Sequence, residues 1–254
     1  ALVVCALFAL LAFLLQTARA TKSFPKAVEQ LLNLSQDSAV AEIHSSLAAS
    51  LRSVSEIKDS IFRRYALKRL HQIADQANAL ANAKLEFTST EGWRVVYDEL
   101  LRSPGLHLYR SVAHIQSAAY WQEGPGQQST QLNLELQDAR AVRIERTAIV
   151  ADHLWPEDSL FPVEPVHGWL KEQHRHGIWV RLARESELQN ERDLLADWGI
   201  YGSRAVGTCQ SDIDGRTSRF TFTFDFDEVK KAEERWERLS VYCVSYRHLL
   251  DQQH

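Results

Sequence analysis

The chain has 254 residues, 45% of them hydrophobic, and sets 29 Lys and Arg against 33 Asp and Glu for a net charge of −4. A balance so small and so interspersed leaves no polybasic footprint for nucleic acid and no acidic tail, so no nucleic-acid partner is expected. Three cysteines are too few for a disulfide framework.

The first predicted element is Ala1–Leu15 (ALVVCALFALLAFLL), an apolar run with no charge before Arg19. It is shorter than the roughly 20 residues that span a hydrocarbon core. The sequence contains no Met, so residues ahead of Ala1 are expected, and residues 1–20 read as a truncated transmembrane helix. Arg19, Lys22 and Lys26 follow closely, which by the positive-inside tendency makes the C-terminal portion cytoplasmic. The alternative is a signal peptide cleaved after Ala18-Arg19-Ala20. That reading gives an exported structural protein in which Cys209 and Cys243 are able to form one bridge.

Residues 21–84 read as a helical juxtamembrane stalk. A short helix near Lys26–Leu34 is followed by Ser38–Lys84, which contains neither Pro nor Gly. Val40, Ile43, Leu47, Val54, Ile57 and Ile61 recur at nearly heptad spacing. Arg64 and Lys68 break that seam, and Leu70, Ile73, Ala77, Leu80 and Ala81 form a second stripe. The sharper reading is a coiled coil giving a homodimer. With few clean heptads, two ordinary helices packed on the domain or on each other account for the pattern as well.

Residues 85–254 read as one globular α/β domain. Thr88-Ser89-Thr90-Glu91 carries helix N-cap chemistry, and Trp93, Val96, Tyr97, Leu100 and Leu101 mark the buried face of the helix that follows. Ser103-Pro104-Gly105 ends it. Leu106–Ile115 reads as a strand, Gly124-Pro125-Gly126 as a break, and Thr130–Gln137 as either helix or strand. Val142–Val150 reads as a central strand. Pro162–Pro165 introduces a helix with Val166, Trp169 and Leu170 inward, and Gly177 stops it. Ile178–Ala183 is a strand and Glu185–Leu195 a short helix. Trp198–Tyr201 and Arg204–Cys209 flank the Gly202 turn, and Asp212–Gly215 is a hairpin turn. Phe220–Phe226 alternates as a half-buried strand, and Asp227 caps a last helix over Glu228–Leu250. Strands interleaved with helices predict an α/β sandwich with a mixed sheet.

This order resembles the second portion of phospholipase D-like domains. Arg143–Val150 (RIERTAIV), His176-Gly177-Ile178-Trp179-Val180 with the helix before it, Asp197-Trp198-Gly199-Ile200-Tyr201-Gly202 and Phe224–Leu239 carry the resemblance, which covers Leu106 to Leu250. The family's active members use His-x-Lys-x4-Asp, the His forming a phospho-enzyme and the Lys binding phosphate. None of the ten histidines here is followed two residues later by lysine. The resemblance therefore implies a catalytically degenerate member without phosphodiester chemistry. Degenerate members imply a ligand sensor, a lipid-associated adaptor or an interaction platform.

Other chemistry is thinner. His167 and His174 share a helix face near His176, but no HExxH spacing or nearby cysteine completes a zinc site, and surface histidines at a helix end explain the group. Asp212-x-Asp214-Gly215 is a fragment of a calcium loop without its remaining ligands. Gly199-Ile200-Tyr201-Gly202 lacks the strand–loop–helix order and the lysine of a phosphate loop, and Cys209 has no histidine base beside it. No catalytic residue, metal or cofactor is predicted. The ligand-binding candidates are polar residues at expected strand ends: Tyr109, Arg110, His114, Asp152, Arg184, Asp197, Tyr201 and Arg204. Arg110, Arg184 and Arg204 are suited to bidentate anion binding. The plainer alternative pairs these arginines with Asp152, Glu185 and Asp197 as structural salt bridges. The expectation is a membrane-anchored, non-enzymatic sensor or adaptor that binds an anionic ligand or a protein partner. The competing class is a hydrolase or nuclease acting through Asp152, His153 and Arg184.

Overall fold

A computed structural model of the chain describes residues 37–88, 90–119, 124–211 and 217–253. No helix among them is long and apolar enough to cross a membrane. The predicted elements at Ala1–Leu15, Lys26–Leu34 and Asp212–Gly215 lie outside the described residues. Two compact units divide between Ile73 and Ala74.

The described part of the first unit is helical. Helix α1 (Ser38–Glu56) is opened by the Asp37 carboxylate, which accepts from the Ala39 and Val40 amides at 2.9 and 3.2 Å. The helical stretch read over Ser38–Lys84 forms as two helices rather than one. Ile57 is extended at φ −71°, ψ 123°, and α2 starts afresh at Ser60–Ala81. Local chemistry explains the break. Ser50, Ser53 and Ser55 turn their hydroxyls back onto carbonyls of the preceding turn, weakening it, and the Asp59 carboxylate captures the Phe62 amide at 2.7 Å, as an N-cap does. Neither helix has a buried residue.

The second unit is built on an eight-stranded sheet in the order β1-β7-β6-β5-β2-β3-β4-β8. Its strands are β1 (Lys84–Phe87), β2 (Leu108–Ile115), β3 (Arg143–Val150), β4 (Trp179–Arg184), β5 (Asp197–Tyr201), β6 (Ala205–Ser211), β7 (Thr217–Thr223) and β8 (Val244–Ser245). β2, β3 and β4 run parallel, and every other pairing is antiparallel, so the sheet is mixed as expected. Between these strands lie α3 (Thr90–Arg102), α4 (Gly124–Asp138), α5 (Val166–Arg175), α6 (Phe226–Ser240) and α7 (Tyr246–Gln252).

Strand alternation sorts the core into two layers. Tyr109, Ala113, Ile144, Ala148, Val180 and Leu182 pack with Trp93 and Tyr97 of α3, Leu132 and Leu136 of α4, and Trp169 and Leu170 of α5. Their neighbours along the same strands, Val112, Ile149 and Ala183, pack on the opposite face with Val229, Trp236 and Leu239 of α6. The result is a sheet covered by helices on both sides, which is the arrangement parallel strands require.

Several local expectations are corrected. Gly124-Pro125-Gly126 begins α4 rather than breaking the chain, consistent with proline's tolerance in a first helical turn. Glu185–Leu195 forms two 3₁₀ turns, Glu185–Leu188 and Arg192–Leu194, not one helix. The last helix is capped by Asp225, whose side chain accepts from the Glu228 amide at 3.0 Å, and not by Asp227. It also stops at Ser240, because Val244 and Ser245 leave it to pair with Leu182 and Arg181 of β4.

Gly199 is required where it stands. A Cβ there would meet the Tyr109 ring at 2.9 Å. Gly199→Ala is expected to destabilise the domain by about 1–3 kcal/mol through overpacking. Urea unfolding checks this, with the loss appearing as a lower midpoint at an unchanged slope.

Candidate functional site

The carboxyl ends of β2, β3 and β4 lie side by side, with His114 beside Ile149 and Val150 beside Arg184. β5 runs the other way, so its first residue, Asp197, reaches the same edge. Here the fold gathers four of the eight candidates. His114 Nε2 stands 3.0 Å from Glu185 Oε1, and the His114 backbone amide donates to Asp197 Oδ1 at 2.9 Å. Asp152, in the 3₁₀ turn after β3, accepts from the Ser186 hydroxyl at 2.7 Å and the Ser186 amide at 3.3 Å. The His114–Glu185 contact is a pair able to hold or pass a proton.

Arg184 does not face a ligand here. Its guanidinium donates to the carbonyls of Trp155, Pro156 (3.2 Å) and Ser159 (3.4 Å) and lies 4.2 Å from the centroid of the Trp155 ring. It is a clasp that closes the Trp155–Ser159 loop against the end of β4. With Arg184 so engaged, the carboxylates at this edge are each held separately, Asp152 by Ser186, Glu185 by His114 and Asp197 by the His114 amide.

The other four candidates lie elsewhere. Tyr109 and Tyr201 face the interior with their rings tilted at 31° and centroids 4.8 Å apart, with Tyr97 edge-on to both at 6.0 Å. Arg204 is exposed in the turn at the opposite end of β5, where its amide donates to the Tyr201 carbonyl. Arg110 is held by Glu145 at 3.2 Å and by Glu233 of α6. The three arginines therefore do not converge on one point.

Arg110 belongs instead to an alternating ladder across the α6 face. Arg143 lies 5.9 Å from the Trp179 ring and Arg181 lies 4.9 Å from it. Arg181 is also 4.6 Å from the Trp236 ring, and Arg110 is 5.6 Å from that ring. Glu145, which bonds both Arg110 and Arg143, sits almost sealed at the centre. Such contacts contribute on the order of 0.5–2 kcal/mol each. The alternation Arg143-x-Glu145 and Trp179-x-Arg181 could have revealed the ladder, since period two puts all four on one face.

The remaining sequence signals resolve into structural contacts. His167 meets Tyr246 and Glu164, His176 meets Asp138, and His174 lies edge-on to the Tyr246 ring. Among the described residues no group of three or more metal-ligating side chains converges. Cys209 and Cys243 are not joined in a disulfide; they pack into layers on opposite faces of the sheet, so the bridge allowed by the export reading does not form.

No family model matches the chain, and no curated protein matches it. Among solved structures it is similar to a phospholipase D family member, Nuc from Salmonella typhimurium, at 12% identity over 64% of this chain and 97% of that one, with a TM-score of 0.46. It is similar to NucT from Helicobacter pylori at 11% identity over 64% of this chain and 98% of that one, with a TM-score of 0.45. Phosphatidylserine synthase from Haemophilus influenzae Rd KW20 matches at 9% identity over 61% of this chain and 36% of that one, with a TM-score of 0.42. Likenesses this distant say nothing of this chain's chemistry.

The buried hydroxyls and thiol give the domain an alkaline limit. Burial, reinforced by Tyr109, raises Tyr97 and Tyr201 well above the ordinary tyrosine value. Burial likewise pushes the Cys243 thiol up from 9.0 to about 11. Each stays protonated in the folded chain after its unfolded counterpart has ionised, so the unfolded state binds fewer protons and stability falls as pH rises. Stability is expected to hold below pH 9 and to drop between about pH 9 and 11, with Cys243 alone accounting for roughly 2–3 kcal/mol. Urea midpoints at a series of pH values check this, and Cys243→Ala should shrink the drop.

Proposed function

We propose that the protein is a non-enzymatic adaptor or sensor held at a membrane, with a catalytically degenerate, phospholipase D-like α/β domain as its ligand-binding half. Its helical unit assembles with a second copy of the same chain. The observation that carries this reading is the apolar stripe of α1, which no other described residue buries. Val40, Ile43, Leu47 and Leu51 are 41–67% exposed along one helix, and a short isolated helix is marginal without a packed face. Contiguous apolar surface of this kind marks a protein–protein contact. The 3-and-4 spacing of Val40, Ile43, Leu47 and Val54 is self-complementary, which favours two copies of α1 meeting along that seam. The apolar run at Ala1–Leu15 and the cations after it support membrane attachment with the domain on the cytoplasmic side.

A second reading, that of a hydrolase, is favoured by the carboxyl edge, where His114–Glu185 and Ser186–Asp152 stand as neighbouring hydrogen-bonded pairs. In that case Asp152→Ala in a folded chain abolishes turnover of an ester or phosphodiester substrate.

The assembly is tested by oxidative cross-linking of the full chain with Cys5, Cys209 and Cys243 replaced by Ala. Ile43→Cys and Leu47→Cys are expected to give a disulfide-linked dimer. Ser45→Cys, off the seam, is expected to give several-fold less. Equal cross-linking at Ser45, or none at any of the three, would sink the proposal.

A further inference from the structure

β1 is the outermost strand of the sheet. It pairs with β7 on one side and with no described strand on the other. The opposite edge is β8, which is two residues long and passes straight into α7. β1 is therefore the longer open edge, and backbone donors and acceptors left open along a strand are a template for another strand.

The ladder fixes which groups face outward. Phe224 donates its amide to the Ala83 carbonyl at 2.8 Å, and Leu85 and Phe87 stand opposite Phe222 and Phe220. In an antiparallel ladder alternate residues turn both backbone groups toward the same neighbour. Leu85 and Phe87, in step with the Ala83 carbonyl, therefore face β7, and Lys84 and Glu86 point theirs away from it. No described residue hydrogen-bonds those outward groups.

The side chains alternate in the same rhythm. Leu85 and Phe87 are half-buried against the core, while Lys84 and Glu86 stand exposed on the other face. Neither charge forms an ion pair with a described residue. Charge normally blunts a sheet edge, because a run of one sign repels a second strand. Here the signs alternate, so repulsion depends on register. Parallel, in-register pairing of two β1 strands sets Lys84 against Lys84 and Glu86 against Glu86. Antiparallel pairing centred on Leu85 sets Lys84 of each copy against Glu86 of the other. The same register brings the outward backbone groups of Lys84 opposite those of Glu86, so hydrogen bonding and charge select one alignment. Leu85 then meets its own counterpart at the two-fold axis.

We propose that β1 takes β1 of a second copy of the chain, antiparallel about Leu85, joining two eight-stranded sheets into one. The contact is isologous, so a single strand supplies both halves of it. It is small for a standing interface and its ion pairs are exposed, so it is weak and forms where the chain is concentrated. It is separate from the α1 seam. The two contacts use different elements, and either can fail while the other holds.

The experiment is oxidative cross-linking of the concentrated full chain with Cys5, Cys209 and Cys243 replaced by Ala. Leu85→Cys is expected to give a disulfide-linked dimer, because opposed residues of a non-hydrogen-bonded pair bring their side chains closest. Thr88→Cys, beyond the end of β1, is expected to give several-fold less. Adding Lys84→Glu alone, or Glu86→Lys alone, sets like charges opposite and is expected to cut the Leu85→Cys product several-fold. The two reversals together exchange the signs and are expected to restore it. No dimer with Leu85→Cys, an equal yield with Thr88→Cys, or no restoration by the double reversal overturns the proposal. Should Leu85→Cys not fold, amide hydrogen exchange of the unaltered chain decides. The Lys84 and Glu86 amides are expected to become protected as concentration rises, and no protection at any concentration overturns the proposal.

Discussion

Strand β3 is the constraint on which the α/β unit depends. From Ile144 to Val150 every residue is buried, because β2 and β4 flank the strand in parallel and helices cover both faces. Parallel pairing obliges the chain to cross over between strands, and those crossovers are α4 and α5. The carboxyl edge where His114, Asp152 and Glu185 meet is a direct product of that connectivity, since each residue lies at the point where a parallel strand hands the chain to its next segment. Asp197 joins them because β5 reverses direction beside β2.

The two faces of β3 handle charge in opposite ways. On the α6 side, Glu145 is buried but bonded by Arg110 and Arg143, and the guanidinium planes interleave with Trp179 and Trp236. Charge there is paired and stacked, so it helps to orient α6. On the other side, one residue along, Arg146 lies against the Trp169 ring and makes no ion pair with any described residue. The same strand thus carries a paired ion network on one face and an arginine set against an aromatic ring on the other, separated by the thickness of the sheet.

Much of the α/β unit was legible because its signals are periodic. The alternation in RIERTAIV, the run IWVRLA and the apolar face Trp93, Tyr97, Leu100 and Leu101 each repeat over enough residues to outweigh local noise. What escaped was set by single contacts. The Asp59 cap that starts α2, and Ser245 leaving the α6 segment to pair with Arg181, are decided by one hydrogen bond or one strand pairing apiece. The candidate site was legible by half for a similar reason. Strand ends can be guessed from sequence, but strand direction cannot, so Tyr201 and Arg204 were assigned to the edge that β5 enters, whereas they lie at the edge it leaves. Arg184 was read by its charge, whereas its geometry makes it a clasp on backbone carbonyls.

The three non-helical residues between α1 and α2 limit what this helical segment can transmit mechanically. A continuous helix resists torsion, so a rotation imposed at one end appears at the other. The extended backbone at Ile57 interrupts the hydrogen-bond ladder that supplies this stiffness. Twist applied to α1 dissipates in the free dihedrals of residues 57–59, while a pull or a change in separation still passes through the covalent chain. Any message carried along this segment is therefore one of distance or tension and not of torque.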